Sequence, residues 1–316
     1  MTNCAMANFK ENVNKKILVT GGSGLVGLAL KKIMPDAIYL NSKARDLTDQ
    51  ELVADLFRKY RPEVCIHLAA RVGGIQENIK CQAEFFDQNI LMNTFVLKYA
   101  HEYGCKQFIG MLSTCVYPDK NELCPYSEEI LHEGSPAKTN FSYGIAKRAF
   151  AAQIDAYNNQ YGTKYNYLIP SNIYGIGDKY DKSRSHFVGA LIRKIHEAKS
   201  SGADHIQLFG DGTPRRQFFI NDDIAQIIKL CIDNNIVESF NVAPDENPTI
   251  REIAEVALKA CGAAHLSIKW DSSQPNGQMD KSASNRKMKS IFPDFKFTSL
   301  EDGIRKTYLH YTQYGK

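Results

Sequence analysis

Apolar runs recur along the first 175 residues, and each is followed by a longer stretch whose apolar positions return every three or four places. KILVTGG (16–22), AIYLN (37–41), VCIHLAA (64–70), KQFIGMLSTCVY (106–117) and KYNYLIPSNIYG (164–175) read as strands. Most of these runs are continuously apolar rather than alternating, as strands covered on both faces are. Between them GLVGLALKKIM, LTDQELVADLFRKY, QNILMNTFVLKYAHEYG and SYGIAKRAFAAQIDAYNNQYG carry helical spacing. Thr48, with Glu51 three residues on, predicts the N-cap of the second of these helices, and a glycine closes the third. Regular alternation of strand and helix predicts an α/β fold with a doubly wound parallel sheet.

The pattern changes after Gly175. Residues 176–216 are polar and basic around one amphipathic helix, FVGALIRKIHEAKSS, and RQFFINDDIAQIIKLCIDN (216–234) reads as a strand and helix returning to the sheet. A helix capped near Thr249 and an irregular stretch at 271–290 follow. The expected division is a sheet domain of residues 15–175 and 217–244 and a smaller C-terminal α/β domain of 176–216 and 245–316. At about 150 residues per domain, the chain's length agrees with two.

Composition excludes more than it identifies. With 43% apolar and 23% charged residues the chain is an ordinary globular one. A net charge of +4 is too mild to imply a nucleic-acid partner. The eight cysteines form no CxxC pair and have no histidine at zinc-finger spacing, so no metal site is expected. Several sit in apolar runs, which points to a reducing, cytoplasmic compartment. No apolar stretch is long enough to span a membrane. Residues 1–14 lack a signal peptide's apolar core and are expected to form a mobile leader.

Gly21, Gly24 and Gly27 stand between the first strand and the helix that Leu25 and Val26 begin. This GxxGxxG turn is of the Rossmann type: glycines allow a tight turn and close approach of backbone to a pyrophosphate, which the helix N-terminus attracts. A carboxylate at the end of the second strand would select NAD. That place reads YLNSKAR, where Ser42, Lys43 and Arg45 suit a 2′-phosphate, so the cofactor expected is NADP(H). Asp46 and Leu47 follow and are expected on the adenine side.

A second cluster comprises Ser113, Tyr143 and Lys147. Tyr143 and Lys147 are one helical turn apart and share a face. A cationic lysine would lower the phenol's pKa, letting Tyr143 exchange a proton with a carbonyl or alcohol oxygen. Ser113 could bond the same oxygen.

With these residues the chain resembles the extended short-chain dehydrogenase/reductase family, and within it the enzymes that epimerise and reduce a GDP-4-keto-6-deoxy sugar. The resemblance covers nearly all of 16–312 and rests on GGSGLVG, HLAARVGGIQENI, LSTCVYPDK, NFSYGIAKR, IPSNIYG, the SH of SRSHFVGALIRK, FGDGTPRRQF and SSQPNGQMDKSASNRK. It implies that Cys115 is the base and His186 the acid for inversion at C3 and C5, with Tyr143 protonating the C4 oxygen. Related dehydratases usually carry an acidic residue where Cys115 stands. The resemblance also implies cofactor contacts from Leu68, Ala69, Ala70, Pro170, Asn172, Ile173 and His186. For the GDP-sugar it implies Asn172, Lys194, Phe209, Arg216 and Lys281, with Arg215 a competitor of Arg216. A homodimer is implied, paired through the helices of 85–103 and 142–160. An epimerase-reductase or a 4-reductase of another GDP-4-keto sugar would use the same residues, so that alternative stays open. A non-catalytic sensor of NADP(H) would not need both Tyr143 and Lys147.

Overall fold

In the computed structural model, which describes residues 15–41, 46–181, 185–274 and 276–315, the first half of the chain alternates strand and helix. It runs β1 (Ile17–Thr20), α1 (Leu25–Ile33), β2 (Ile38–Tyr39), α2 (Gln50–Tyr60), β3 (Val64–His67), α3 (Ile75–Lys80), α4 (Gln82–Glu102), β4 (Gln107–Met111), α5 (Phe141–Tyr161) and β5 (Tyr165–Pro170). The second half adds β6 (Asn172–Tyr174), α6 (Phe187–Ser201), β7 (His205–Phe209), β8 (Phe218–Ile220), α7 (Asn221–Asp233), β9 (Phe240–Val242), α8 (Ile250–Ala260), β10 (Ser267–Asp271), α9 (Arg286–Ile291) and α10 (Leu300–Tyr314). Residues 1–14, expected as a leader, and Ser42, Lys43 and Arg45 lie outside the described residues.

The central sheet is parallel throughout, in the order β2-β1-β3-β4-β5-β9. Every residue of β3, β4 and β5 is buried. Successive strand residues enter opposite cores: Leu18, Cys65 and Phe108 pack with α2, α4 and α5, while Val19, Ile66 and Ile109 pack with α1 and α7. This is the Rossmann-type, doubly wound α/β fold that the alternating pattern predicts. The chain reverses its direction of travel across the sheet between β1 and β3, so the carboxyl ends of these strands flank a crevice.

The structure corrects several local expectations. The run 164–175 is not one strand. Ser171 N donates to Val242 O on β9, whereas Asn172 N donates to Gln217 O, so the chain changes partner within two residues. β6 therefore leaves the sheet and pairs with β8. In the 216–234 segment β8 pairs with β6 instead of joining the main sheet, although Phe219 and α7 pack in the sheet's core, and the strand that returns to the sheet is β9. The cap of α2 is Asp49, not Thr48: its carboxylate accepts from Glu51 N at 2.9 Å and Leu52 N at 3.0 Å. A carboxylate also complements the helix dipole better than a hydroxyl. The strand of 106–117 stops at Met111, and a 3-10 turn follows at Thr114–Val116.

A third core, around Tyr174, Val188, Leu191, Ile206, Ala257 and Ile304, joins α6, α8 and α10 to the parallel pair β7–β10. The cap expected near Thr249 is present, and Glu252 completes it as a capping box at the start of α8. One buried side chain ties the late segment to the main sheet. Asn241 on β9 accepts from the Tyr117 hydroxyl at 2.6 Å and donates to Tyr126 O at 3.0 Å and Ser284 O at 3.1 Å. Tyr126 in turn exchanges backbone hydrogen bonds with Ser282 and Ser284.

Asn241→Ala would leave a buried phenol and two carbonyls without their partner. The expected loss is about 3 kcal/mol of stability, on the order of the largest single-site effects. Urea unfolding should show a lower midpoint with an unchanged slope.

Candidate active site

The glycine turn after β1 is held by backbone contact. Gly21 has φ 67°, and a Cβ there would lie 2.8 Å from Ala69 N and 2.9 Å from Leu68 C. A Cβ on Gly27 would lie 2.7 Å from Gly21 O. The ends of β1 and β3 and the first turn of α1 thus touch where side chains would separate them. Gly24 is the N-cap of α1 and brings no side-chain cap, and the first turn, with Leu25 and Val26, carries no acidic residue. Free N–H groups with positive end potential suit a pyrophosphate, so the cradle fits a dinucleotide.

Leu68, Ala69 and Ala70 line the end of β3, each partly exposed. The Asp46 carboxylate accepts from the amide and hydroxyl of Thr48 at 2.9 and 2.7 Å, while the Leu47 side chain is in the core. Under the crevice lies a buried chain that the sequence reading missed. The Thr20 hydroxyl accepts from Ala69 N at 3.2 Å and bonds His67 Nδ1 at 2.7 Å, and His67 Nε2 meets Asn93 Oδ1 at 3.1 Å. Thr20 donates to Nδ1, and Nε2–H donates to Asn93. Burial, with the Lys147 charge adding, pushes the His67 pKa down to about 3, so the ring is neutral and structural. A histidine within an apolar strand was its only sequence signal.

The wall beside β4 carries the second cluster. Lys147 is buried on α5, and its ammonium donates to Met111 O, the last residue of β4, at 2.7 Å. Burial pushes its pKa down to about 7. Its Nζ lies 5.9 Å from the centre of the Tyr143 ring. The expected lowering of the phenol's pKa is not what this structure shows. Burial raises it, and the charge of Cys115 adds to the rise. The physical reason is desolvation: burial disfavours the phenolate, and the Lys147 ammonium is turned to Met111 O rather than to the phenol oxygen.

Ser113 caps the 3-10 turn, accepting from Cys115 N at 3.3 Å. α5 presses on this turn, since a Cβ on Gly144 would lie 2.6 Å from Cys115 O. The buried Arg148 fixes the same loop, donating to Val116 O, Gly134 O and Glu133 O. Around the Cys115 sulfur stand Lys281 Nζ, at 2.9 Å, and hydrogen bonds from Ser113 and Asn140. Burial alone would raise this thiol, but the Lys281 charge and these hydrogen bonds outweigh it and the pKa falls. Asn140 went unnoticed in the sequence, and its carbonyl oxygen is buried without a partner.

The residues expected at the substrate are spread over the later elements. His186 is exposed at the N-cap of α6, near Asp178, whose carboxyl burial raises. Lys194 donates to Gln207 O at 2.6 Å and lies 5.3 Å from the Phe209 ring centre. Phe209 is 65% exposed, an open aromatic face at the end of β7. Arg215 is exposed and tied to Asn247 O at 2.9 Å. Arg216 is the more buried of the pair, within the fields of Asp280 and Cys115. Pro170 ends β5, and on β6, beside Ile173, the Asn172 amide donates to Gln217 O at 2.9 Å.

Comparison with known proteins agrees with this architecture. Residues 17–243 match the model of the NAD dependent epimerase/dehydratase family. A probable GDP-L-fucose synthase of Drosophila melanogaster is 36% identical over 95% of this chain and 98% of its own. The GDP-L-fucose synthase of Dictyostelium discoideum is 35% identical over 94% of this chain and 95% of its own. The crystal structure of a GDP-L-fucose synthetase from Naegleria fowleri bound to NADP superposes with a TM-score of 0.86 at 32% identity, covering 95% of this chain and 93% of that one.

The buried lysine has a measurable signature in stability. Its pKa is lower folded than unfolded, so the unfolded chain binds the extra proton from about pH 7 up to the ordinary lysine value. The penalty is full below that window and fades as pH rises through it. Relative to Lys147→Met, the wild-type Tm should therefore gain several degrees between about pH 7 and pH 9.5. A Tm difference that stays constant with pH would show the amine charged throughout.

Proposed function

Because the chain belongs to the NAD dependent epimerase/dehydratase family, on the GDP-L-fucose synthase branch of the extended short-chain dehydrogenases/reductases, we propose that it converts GDP-4-keto-6-deoxy-D-mannose to GDP-L-fucose. It is an NADPH-dependent epimerase and reductase. The observation that carries this reading is the joint placement of Cys115, its pKa lowered, on the wall that holds Ser113, Tyr143 and Lys147. A plain reductase needs the serine, tyrosine and lysine but has no use for a thiol readied as a base.

The sugar's C4 ketone acidifies the C–H bonds at C3 and C5. Cys115 takes the proton from one face and His186 returns one from the other, so both centres invert through enolates. Ser113 holds the C4 oxygen. When bound, NADPH supplies the hydride to C4. Tyr143 gives the C4 oxygen its proton, and a phenol kept protonated by burial arrives ready for that step. The glycine cradle and the segment 68–70 hold the dinucleotide, with Ser42, Lys43 and Arg45 selecting its 2′-phosphate. Arg216 and Lys194 serve the diphosphate, and the open face of Phe209 stacks on the base. The sheet region of 15–175 and 217–244 thus binds the cofactor, and 176–216 with 245–316 binds the GDP-sugar. All seven described cysteines are free, which suits a reducing cytoplasm, and among the described residues no helix is long and apolar enough to cross a membrane. The exposed Leu91, Phe141 and Tyr161 on the packed pair α4 and α5 support a homodimer through those helices.

The deciding assay supplies GDP-4-keto-6-deoxy-D-mannose with NADPH or NADH in D2O and identifies the product by NMR. GDP-L-fucose labelled at C3 and C5 is expected, at least tenfold faster with NADPH, while Tyr143→Phe exchanges protons without reduction. Reduction at C4 without label at either carbon would make the protein a simple 4-reductase. Sedimentation at micromolar concentration should give twice the chain mass, and a monomer would remove the proposed pairing.

A further inference from the structure

Cys115 and Lys281 are 166 residues apart, yet Nζ and Sγ meet at 2.9 Å. The sequence resemblance places Lys281 at the GDP-sugar, but in the structure its ammonium sits on a thiol. We propose that Lys281 is a positioning residue for epimerisation, which holds the Cys115 sulfur as a thiolate in the enzyme before substrate arrives. This inference rests on the epimerase reading above and deepens it.

The backbone around Lys281 is anchored on both sides. Met279 O accepts from Arg215 N at 2.8 Å, and Ser282 O accepts from Tyr126 N at 2.8 Å. Ala283 N donates to Gln217 Oε1 at 2.8 Å. The neighbouring carboxylate of Asp280 is turned to Ser282 N and the Asn247 amide, at 2.8 and 3.2 Å. Among the described residues Lys281 forms no ion pair with a carboxylate, so its charge is available to the sulfur.

The groups facing Cys115 come from four parts of the chain. Lys281 and Arg216 bring positive charge, Ser113 and Asn140 bring hydrogen bonds, and Tyr143 brings a neutral phenol. A partly buried sulfur with only neutral neighbours would hold its proton more tightly. The charge-assisted contact with Lys281 is the largest influence opposing burial. The base is thus prepared by a residue remote in sequence and held in place by the segment that Tyr126, Gln217 and Arg215 fix.

Thiolate is the form that alkylating reagents attack, so its population can be read directly. The test follows iodoacetamide modification of Cys115 by peptide mass mapping, in the NADP+-loaded enzyme, from pH 5.5 to 9.5. Lys281→Met should move the midpoint upward and slow modification at neutral pH roughly tenfold. Lys281→Arg should restore most of the rate, since a cation is what the sulfur needs. Deuterium exchange at C3 and C5 should fall in parallel in the Met variant. NADP+ affinity and the thermal midpoint should stay at wild-type values and so certify the fold. If Lys281→Met instead raises only the KM for the GDP-sugar and leaves the alkylation midpoint unmoved, the lysine serves the diphosphate and the proposal is overturned. A wild type that shows the expected alkylation profile but labels neither carbon keeps the lysine–thiol pairing and overturns the epimerase reading.

Discussion

A parallel sheet buried on both faces has nowhere to put chemistry except along its carboxyl edge. That constraint arranges this molecule. β3, β4 and β5 bury every residue, and helices cover both sides. The glycine turn leaves β1, Ala69 follows β3, Ser113 and Cys115 follow β4, and β5 runs out at Pro170. These groups are set by the strands before them, and strands packed at crystal-like density hold their ends to small tolerances. Backbone approaches at Gly21, Gly27 and Gly144 close the edge further, drawing α1 against the end of β3 and α5 against the Cys115 turn.

Within that edge, burial sorts the ionisable groups by what surrounds them. The same desolvation lowers Lys147, raises Tyr143 and opposes ionisation of Cys115. Only for the thiol is it outweighed, because an ammonium at 2.9 Å and two hydrogen-bonding side chains converge on one sulfur. Tyr143 has no comparable support, since the nearby lysine is turned to Met111 O. The outcome is a phenol that holds its proton more tightly beside a thiol that holds its proton more loosely. Two neighbouring groups pushed apart in this way can divide acid and base roles at one pH.

The segment 279–284 links the two halves of that arrangement. It is tied to the main sheet through Tyr126, Asn241 and Gln217, and it carries Lys281 to the Cys115 turn. A stretch that looks irregular in sequence is thereby fixed by hydrogen bonds to residues from three earlier parts of the chain.

Local rules made much of the protein legible from its sequence. Apolar runs and helical spacing marked β1 to β4 and the helices α1, α2, α4 and α5, though not the short α3, because a both-faces-buried strand needs continuous apolar residues. Turn chemistry marked Gly21, Gly24 and Gly27, and one-turn spacing put Tyr143 and Lys147 on one face. Helix caps were legible where one box is unopposed, as at Thr249, but not at 48–49, where Asp49 competes with its neighbour. What only the tertiary structure decided are the contacts between residues far apart. The change of partner at Ser171, the buried His67 chain, the Arg148 loop clamp and the Lys281–Cys115 contact follow from packing across the fold. The direction of the Tyr143 pKa belongs with them, because a pKa depends on how much water is removed and where each cation points, and neither is written in residue spacing.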